Sequence, residues 1–299
     1  MRVGLIDVDS HNFPNLAQMK LSAYHKAKGD DVEWWNGLKH YDIVYQSKVF
    51  TDEYSKDNEF VVMADKVVKG GTGYDLENRL PEDVEHTFPN YSLYGISDTA
   101  YGFLTRGCPR ACEFCIVSAK ESRKSHHVAD LDEFWDGQRN IKLLDPNLLA
   151  CKEHERLLTQ LADSGASVDF TQGLDARLLT KDNIELINRV NVKNIHFAWD
   201  FMKSEKEVGG GLELFAKYST RRFAHDTFGT VYVLTNFDTN HEEDLYRVNA
   251  LRSLGYEPYI MIFNKAHAPK ITKHLQRYVN AKPIFYSTTW EEYLETRKQ

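Results

Sequence analysis

The chain has 299 residues, enough for one large domain or two ordinary ones, and 42% hydrophobic with 12% aromatic residues is enough apolar material for a sizeable core. Lys plus Arg number 37 against 44 Asp plus Glu, a net charge of −7, which offers no polybasic nucleic-acid surface but does not by itself exclude an RNA substrate. No apolar run approaches the roughly 20 residues needed to cross a bilayer, and acid at Asp7 comes too soon for a secretory leader, so a cytoplasmic protein with no membrane partner is expected.

Taken in order, residues 3–8 form a short apolar run suited to a buried strand. Residues 15–27 place Leu16, Met19, Ala23 and Ala27 at helical spacing, with Gly29 set to end the helix. Residues 32–35 and 41–45 read as further strands, and Val67-Val68-Lys69 runs into Gly70-Gly71-Thr72-Gly73. This alternation of strand and helix predicts a small Rossmann-like parallel α/β domain. Residues 75–98 are polar, carry Pro81, Pro89 and Gly95, and read as a linker, so the first domain with its linker covers residues 1–95.

From Tyr101 the pattern changes to repeated strand–helix units. Strands are predicted over 101–105, 140–144, 167–171, 194–199, 230–234 and 257–263. Helices are predicted over 130–138 (Leu131, Phe134, Trp135), over 152–163 before Gly165, and after the caps Thr180 and Asn240. Gly209-Gly210-Gly211 is expected to split the helical region that follows Asp200, and 271–279 reads as a last amphipathic helix before a turn over 290–294. Such units imply parallel strands, and six of them are too few for the closed eight-stranded barrel. An open, partial (β/α)6 barrel over residues 96–299 fits. Polar residues gather where each strand ends, the usual place for function in parallel folds: Asp145 and Asn147, then Gln172, Asp175 and Arg177, then Asp200, Asn236, Asn264 and Lys265.

The strongest signal is Gly107-Cys108-Pro109-Arg110-Ala111-Cys112-Glu113-Phe114-Cys115, a Cys-x3-Cys-x2-Cys spacing on a loop after a strand. Thiolates at this density are soft ligands, suited to an iron–sulfur cluster or zinc, and in a reducing compartment they suit metal better than a disulfide framework. Three ligands to a four-iron cluster leave one iron open, whereas zinc would call on Cys151 or a histidine as its fourth ligand. Cys151 itself reads as a partly buried thiol and His126-His127 as a loop pair.

The cysteine spacing, the aromatic Phe114 before the third cysteine, and the preceding Leu104-Thr105-Arg106-Gly107-Cys108-Pro109 together resemble the radical S-adenosylmethionine (SAM) enzymes. The resemblance implies the partial barrel and a 4Fe–4S cluster held by Cys108, Cys112 and Cys115. It implies SAM chelated by the open iron and cleaved reductively to a 5′-deoxyadenosyl radical, with an electron donor such as flavodoxin or ferredoxin. Phe114 would lie near the adenine. Asp145 stands where the family places a contact to the SAM ammonium, often within Gly-Gly-Glu, which this chain lacks. SAM is a zwitterion with a ribose diol, so Arg177 is a candidate for a carboxylate of SAM or substrate, or else an ion-pair partner of Asp175. Gln172, Asp175 and Asp200 are candidates for ribose or substrate, with Asn236 at the same mouth.

Residues 1–95 resemble the cobalamin-binding-type domain found ahead of some radical SAM cores, Val67-Val68-Lys69-Gly70-Gly71 matching its late strand and double glycine. Asp9-Ser10-His11 echoes the start of that domain's cobalt-ligating motif, but Pro14 stands in place of its glycine, so cobalamin is disfavoured. The leading expectation is an oxidoreductase or transferase of the radical SAM type acting on an unidentified substrate. Methyl or methylthio transfer to a nucleoside, peptide or metabolite is the alternative, as is a non-enzymatic iron–sulfur or SAM-binding sensor.

Overall fold

The computed structural model describes residues 1–10, 13–57 and 60–297, and the chain divides into two units, Met1–Lys142 and Leu143–Gln299. In the first unit the N-terminal apolar run forms β1 (Arg2–Asp7), with Val3, Leu5 and Ile6 buried. α1 (Leu16–Ala27) follows, and Oδ1 of Asn15 accepts the Gln18 N–H at 3.2 Å, satisfying a donor that has no partner within the helix. β2 (Asp31–Trp34), β3 (Tyr41–Ser47) and β4 (Ala64–Gly70) complete a parallel sheet in the order β2-β1-β3-β4. This is a doubly wound order. The buried Gln18 ties α1 to the sheet, donating to the carbonyls of Ile6 at 3.0 Å and Tyr45 at 3.2 Å.

The predicted alternation holds for one helix only. Among the described residues between β1 and β4, α1 is the single helix, and the other connections are irregular. The glycine run after β4 has a local cause. Gly71 has φ +96°, and a Cβ there would meet the Lys48 carbonyl oxygen at 2.3 Å; a Cβ on Gly73 would meet that of Phe50 at the same distance. Lys48 at the end of β3 is fully buried and paired with Asp52 and with Asp57 at 3.0 Å. Burial works against ionisation of Asp57, but hydrogen bonds from Lys69, Tyr74 and Lys48 outweigh it and hold the carboxyl well below the usual range.

α2 (Glu82–Glu85) lies in the segment read as a linker. The strand predicted over 101–105 is two strands, β5 (Thr99–Gly102) and β6 (Thr105–Arg106). α3 (Val117–Lys120) follows β6, and β6 pairs antiparallel with β7 (His126–His127), which places the two histidines on a strand and not in a loop. The helix predicted over 130–138 is a single 3-10 turn, Leu131–Glu133, closed by an Asp130/Glu133 capping box. Phe134 then turns inward onto Gly102, where a Cβ would come within 2.3 Å of its ring. The Phe134 carbonyl accepts from the Tyr91 hydroxyl at 2.6 Å, which draws the chain out of helix. β8 (Asn140–Leu143) lies beside β5.

The second unit follows the predicted order more closely. α4 (His154–Ser164) ends at Gly165 with φ +66°, and β9 (Ser167–Phe170) follows. α5 (Lys181–Arg189) carries the expected Thr180 cap in a box with Asn183. The strand predicted over 194–199 is divided into β10 (Val192–Asn194), parallel to β9, and β11 (His196–Ala198). The division follows from the loop after β9: the Leu174 N–H donates to the His196 carbonyl at 2.7 Å, occupying a group that a continuous strand would use for the sheet. β11 therefore turns to pair with β12 (Thr230–Thr235), which lies beside β13 (Glu257–Ile262).

α6 (Glu205–Tyr218) precedes β12, α7 (His241–Ser253) carries the Asn240/Glu243 box, and α8 (Lys270–Asn280), α9 (Lys282–Ser287) and α10 (Trp290–Glu295) close the chain. The free edge of β13 is blunted. Asn280 accepts from the Ile260 N–H at 2.8 Å, while Asn280 and Gln276 donate to its carbonyl at 3.0 and 3.1 Å. Both units are thus α/β with parallel sheets, the predicted class.

α6 runs unbroken through Gly209, Gly210 and Gly211, against the expected split. A Cβ on Gly211 would meet the Ala176 carbonyl oxygen at 1.9 Å, whereas nothing lies within 4 Å of one on Gly210. The glycine allows the helix to lie against the 3-10 turn Ala176–Leu178. Gly210→Ala should stabilise the protein by about 0.5–1 kcal/mol through helix propensity, while Gly211→Ala should destabilise it by about 1–3 kcal/mol through overpacking. Urea denaturation of the two variants should therefore show shifts of opposite sign.

Candidate active site

The three thiols are carried on a short excursion between β6 and α3. Gly107 opens it with φ +86°; a Cβ there would meet the Lys124 carbonyl oxygen at 2.3 Å, so only glycine lets the outgoing and returning chains approach. The Cys108 N–H donates to the Ser122 carbonyl at 3.1 Å and the Cys115 N–H to the Cys112 carbonyl at 2.9 Å. Ala111, between the first two cysteines, has φ +48°. Arg106 braces the base, bonding Glu121 at 2.9 Å and Glu85 at 3.1 Å and covering the Phe103 ring at 4.0 Å. Lys120 donates to the carbonyls of Asp75 and Asn78 at 3.2 and 2.8 Å, so part of the supposed linker supports the loop. Cys108, Cys112, Phe114 and Cys115 are all half-buried.

The donor set fits a soft metal or an iron–sulfur cluster: three partly accessible thiols, all within one braced loop. Among the described residues no group of three or more His, Cys, Asp or Glu is already arranged to hold a metal ion. The fourth cysteine, Cys151, belongs to the second unit and is buried. Its carbonyl accepts from Nδ1 of His154 at 2.8 Å.

In the second unit several predicted strand-end residues meet. Asp175 forms a two-point ion pair with Arg177, at 2.7 Å to Nε and 3.2 Å to a terminal nitrogen, and accepts from Nδ2 of Asn147 at 3.2 Å. Arg177 is thus engaged by Asp175, the second of its two predicted roles. Asp145 and Asn147 are buried. Asn236, at φ +63°, donates to the Phe263 carbonyl at 2.8 Å and clamps the ends of β12 and β13. Gln172 is exposed.

Asp200 follows β11. Burial pushes its carboxyl up to about 6, against the opposing pull of Arg247, the Leu234 N–H and Arg177, with Asp175 adding to the rise. Arg247 on α7 was not among the predicted site residues. It has no exposed surface and donates to the carbonyls of Trp199 at 2.7 Å, Asp200 at 3.1 Å and Leu234 at 2.8 Å, and to Asp244 at 2.6 Å. A signal existed in the i, i+3 pair Asp244/Arg247 lying on the same stripe as the buried Val248 and Leu251.

No family model matches the chain, and no curated protein matches it. Among solved structures the fold is similar to that of a radical S-adenosylmethionine methyltransferase, TsrM, from Kitasatospora setae, with cobalamin and a 4Fe–4S cluster bound. The TM-score is 0.61 at 10% identity, over 87% of this chain and 74% of that one. The same enzyme with tryptophan substrate and the SAM analogue aza-SAM bound gives a TM-score of 0.60 at 10% identity, over 87% and 72%. At such identity the likeness is one of fold.

The raised Asp200 carboxyl has a consequence for stability. An acid whose folded value, about 6, exceeds the ordinary aspartate value of 3.8 favours the fold in its protonated form, so its contribution is present below about pH 4 and lost as pH rises through 6. Asp200→Asn should therefore gain on the wild type by on the order of 2 kcal/mol between pH 4 and 7. Denaturation midpoints across that range check it; parallel curves would remove the shifted titration.

Proposed function

We propose that the chain is a radical SAM enzyme in which Cys108, Cys112 and Cys115 hold a 4Fe–4S cluster. The observation that carries this reading is the three half-buried thiols on one braced loop. The fold likeness to a radical SAM methyltransferase supports it. When bound, the cluster supplies the electron for reductive cleavage of SAM, drawn from an external donor such as flavodoxin or ferredoxin. Phe114 would lie on the adenine. Asp145 would meet the SAM ammonium. Asp175, already oriented by Asn147 and Arg177, would accept from a ribose hydroxyl, and Arg177 would meet a carboxylate of SAM or of the substrate. Gln172, Asp200 and Asn236 would line the substrate side.

Methyl transfer with cobalamin is the second reading, favoured by the cobalamin-bound methyltransferase neighbour and by the β2-β1-β3-β4 order. It runs against the expectation that cobalamin is disfavoured. The residues of the first unit give it little: Asp9 accepts the Val49 and Phe50 N–H groups at 2.8 Å each, and the glycines are taken up by Lys48 and Phe50. His11 lies outside the described residues.

Anaerobically reconstituted protein given dithionite and SAM should release 5′-deoxyadenosine, and Cys112→Ala should abolish the release. A colourless, zinc-containing protein with no release would overturn the reading. Equilibrium dialysis against hydroxocobalamin separates the second: retention of one equivalent supports methyl transfer, and none removes cobalamin from the mechanism.

A further inference from the structure

The cysteine loop carries charge that the proposed chemistry leaves unused. Residues 106–124 hold Arg106, Arg110, Lys120, Arg123 and Lys124 against Glu113 and Glu121, in a chain whose net charge is −7. Glu121 is taken by Arg106 at 2.9 Å, and Glu113 is exposed, as is Glu77 in the preceding segment. Arg79 joins the group from that segment, donating to the carbonyls of Leu76 at 2.6 Å, Asn78 at 3.0 Å and Lys120. Burial, then the Arg79 charge, push the Lys120 ammonium down, with Glu121 and Asp75 pulling the other way. Arg123 and Lys124 are exposed. Among the described residues no carboxylate makes an ion pair with Arg79, Lys120, Arg123 or Lys124.

These cations belong to the backbone that frames the thiols. The Lys124 carbonyl lies against Gly107, and the Ser122 carbonyl accepts from the Cys108 N–H at 3.1 Å, so Arg123 sits in the segment that returns past the first cysteine. Ile116 follows the third cysteine and is 50% exposed. Lys120 closes the turn that Ile116 opens, its N–H donating to the Ile116 carbonyl at 2.8 Å. An exposed isoleucine one helical turn from an unpaired lysine, on a loop rich in cations, has the composition of a protein interface with an apolar centre and a charged rim. At physiological salt a charge is felt over about 8 Å. A protein arriving at this loop therefore meets the local cations and not the excess of acid elsewhere in the chain. An acidic partner is steered here, while the net negative charge repels it from other faces.

We propose that the loop surface carrying Arg79, Ile116, Arg123 and Lys124 is the docking surface for an acidic one-electron carrier protein, which delivers the electron that SAM cleavage consumes. The assignment rests on the reading of the chain as a radical SAM enzyme, and it names the partner surface of that same site. In the encounter one electron leaves the carrier, which is oxidised by one, and enters the cluster, which is reduced by one; no proton or atom is exchanged. Electron tunnelling falls off exponentially with distance, so the carrier has to dock on the loop that holds the thiols. Encounters of this kind bury little area and are steered by charge.

A strongly acidic flavodoxin is the probe, titrated calorimetrically against the full reconstituted chain. Raising salt from roughly 50 to roughly 200 mM should weaken binding about fivefold or more. At the lower salt Arg123→Glu/Lys124→Glu should weaken it about tenfold or more. Lys193→Glu/Lys206→Glu makes the same change in charge at exposed positions of the second unit and should leave affinity within about twofold. Ile116→Ala should weaken binding severalfold at either salt, and circular dichroism confirms that each variant is folded. Release of 5′-deoxyadenosine driven by reduced flavodoxin should fall in Arg123→Glu/Lys124→Glu by the factor seen in binding. Release driven by dithionite, which needs no docking, should stay within about twofold. No binding of flavodoxin, an affinity that ignores salt, or equal losses in the two double variants overturns the proposal. So does tighter, variant-sensitive binding of a single-stranded RNA oligonucleotide, which would give the surface to nucleic acid. A failed titration alongside intact dithionite-driven release removes the docking surface alone, and failed release alongside intact, charge-dependent binding removes the SAM chemistry alone.

Discussion

A guanidinium sealed from water governs the strand ends of the second unit. Arg247 is placed in the interior by a stripe of α7 that also buries Val248 and Leu251. A charge in that position is tolerable only where nearly every donor finds an acceptor and a counter-charge stands close by. Asp244 supplies the counter-charge, and the carbonyls of Trp199, Asp200 and Leu234 supply the acceptors. Those carbonyls belong to the ends of β11 and β12. The same bonds that solvate the arginine therefore fix where two strands stop, and so where Asp200 begins. Asp200 inherits a desolvated position beside that charge, and its raised carboxyl is the result.

The cysteine loop is built on the opposite plan. Its cysteines are half-buried, and bonds at its base brace it. Gly107 lets two backbone segments touch, the Cys108 N–H bonds across to Ser122, and Arg106 links Glu121 and Glu85 on either side. A loop braced at its base in this way leaves its three cysteines half-buried and not sealed in the interior.

Much of the site was legible because its chemistry is local. The cysteine spacing lies within nine consecutive residues, and the caps Asn15, Thr180 and Asn240 act over three. Polar residues after apolar runs marked the strand ends correctly. The misreadings fall where a distant backbone group intervenes. Residues 130–138 show a helical apolar pattern, yet Phe134 packs on Gly102 and its carbonyl is claimed by Tyr91. Residues 194–199 show a continuous strand pattern, yet Leu174 occupies the His196 carbonyl and divides it. Three glycines looked like a break, yet one of them is the place where α6 meets Ala176.

By itself the sequence determined the α/β class, the thiol loop and the roster of strand-end polar residues, because each depends on residue type and short-range spacing. Only the tertiary structure decided which of those residues meet. It paired Arg177 with Asp175, brought Arg247 to carbonyls as many as 48 residues away along the chain, and stacked His196 on Tyr232. The reason is physical. A buried polar atom takes its partner from whatever the fold places within hydrogen-bonding distance, and a spacing of tens of residues leaves no periodic trace in the chain.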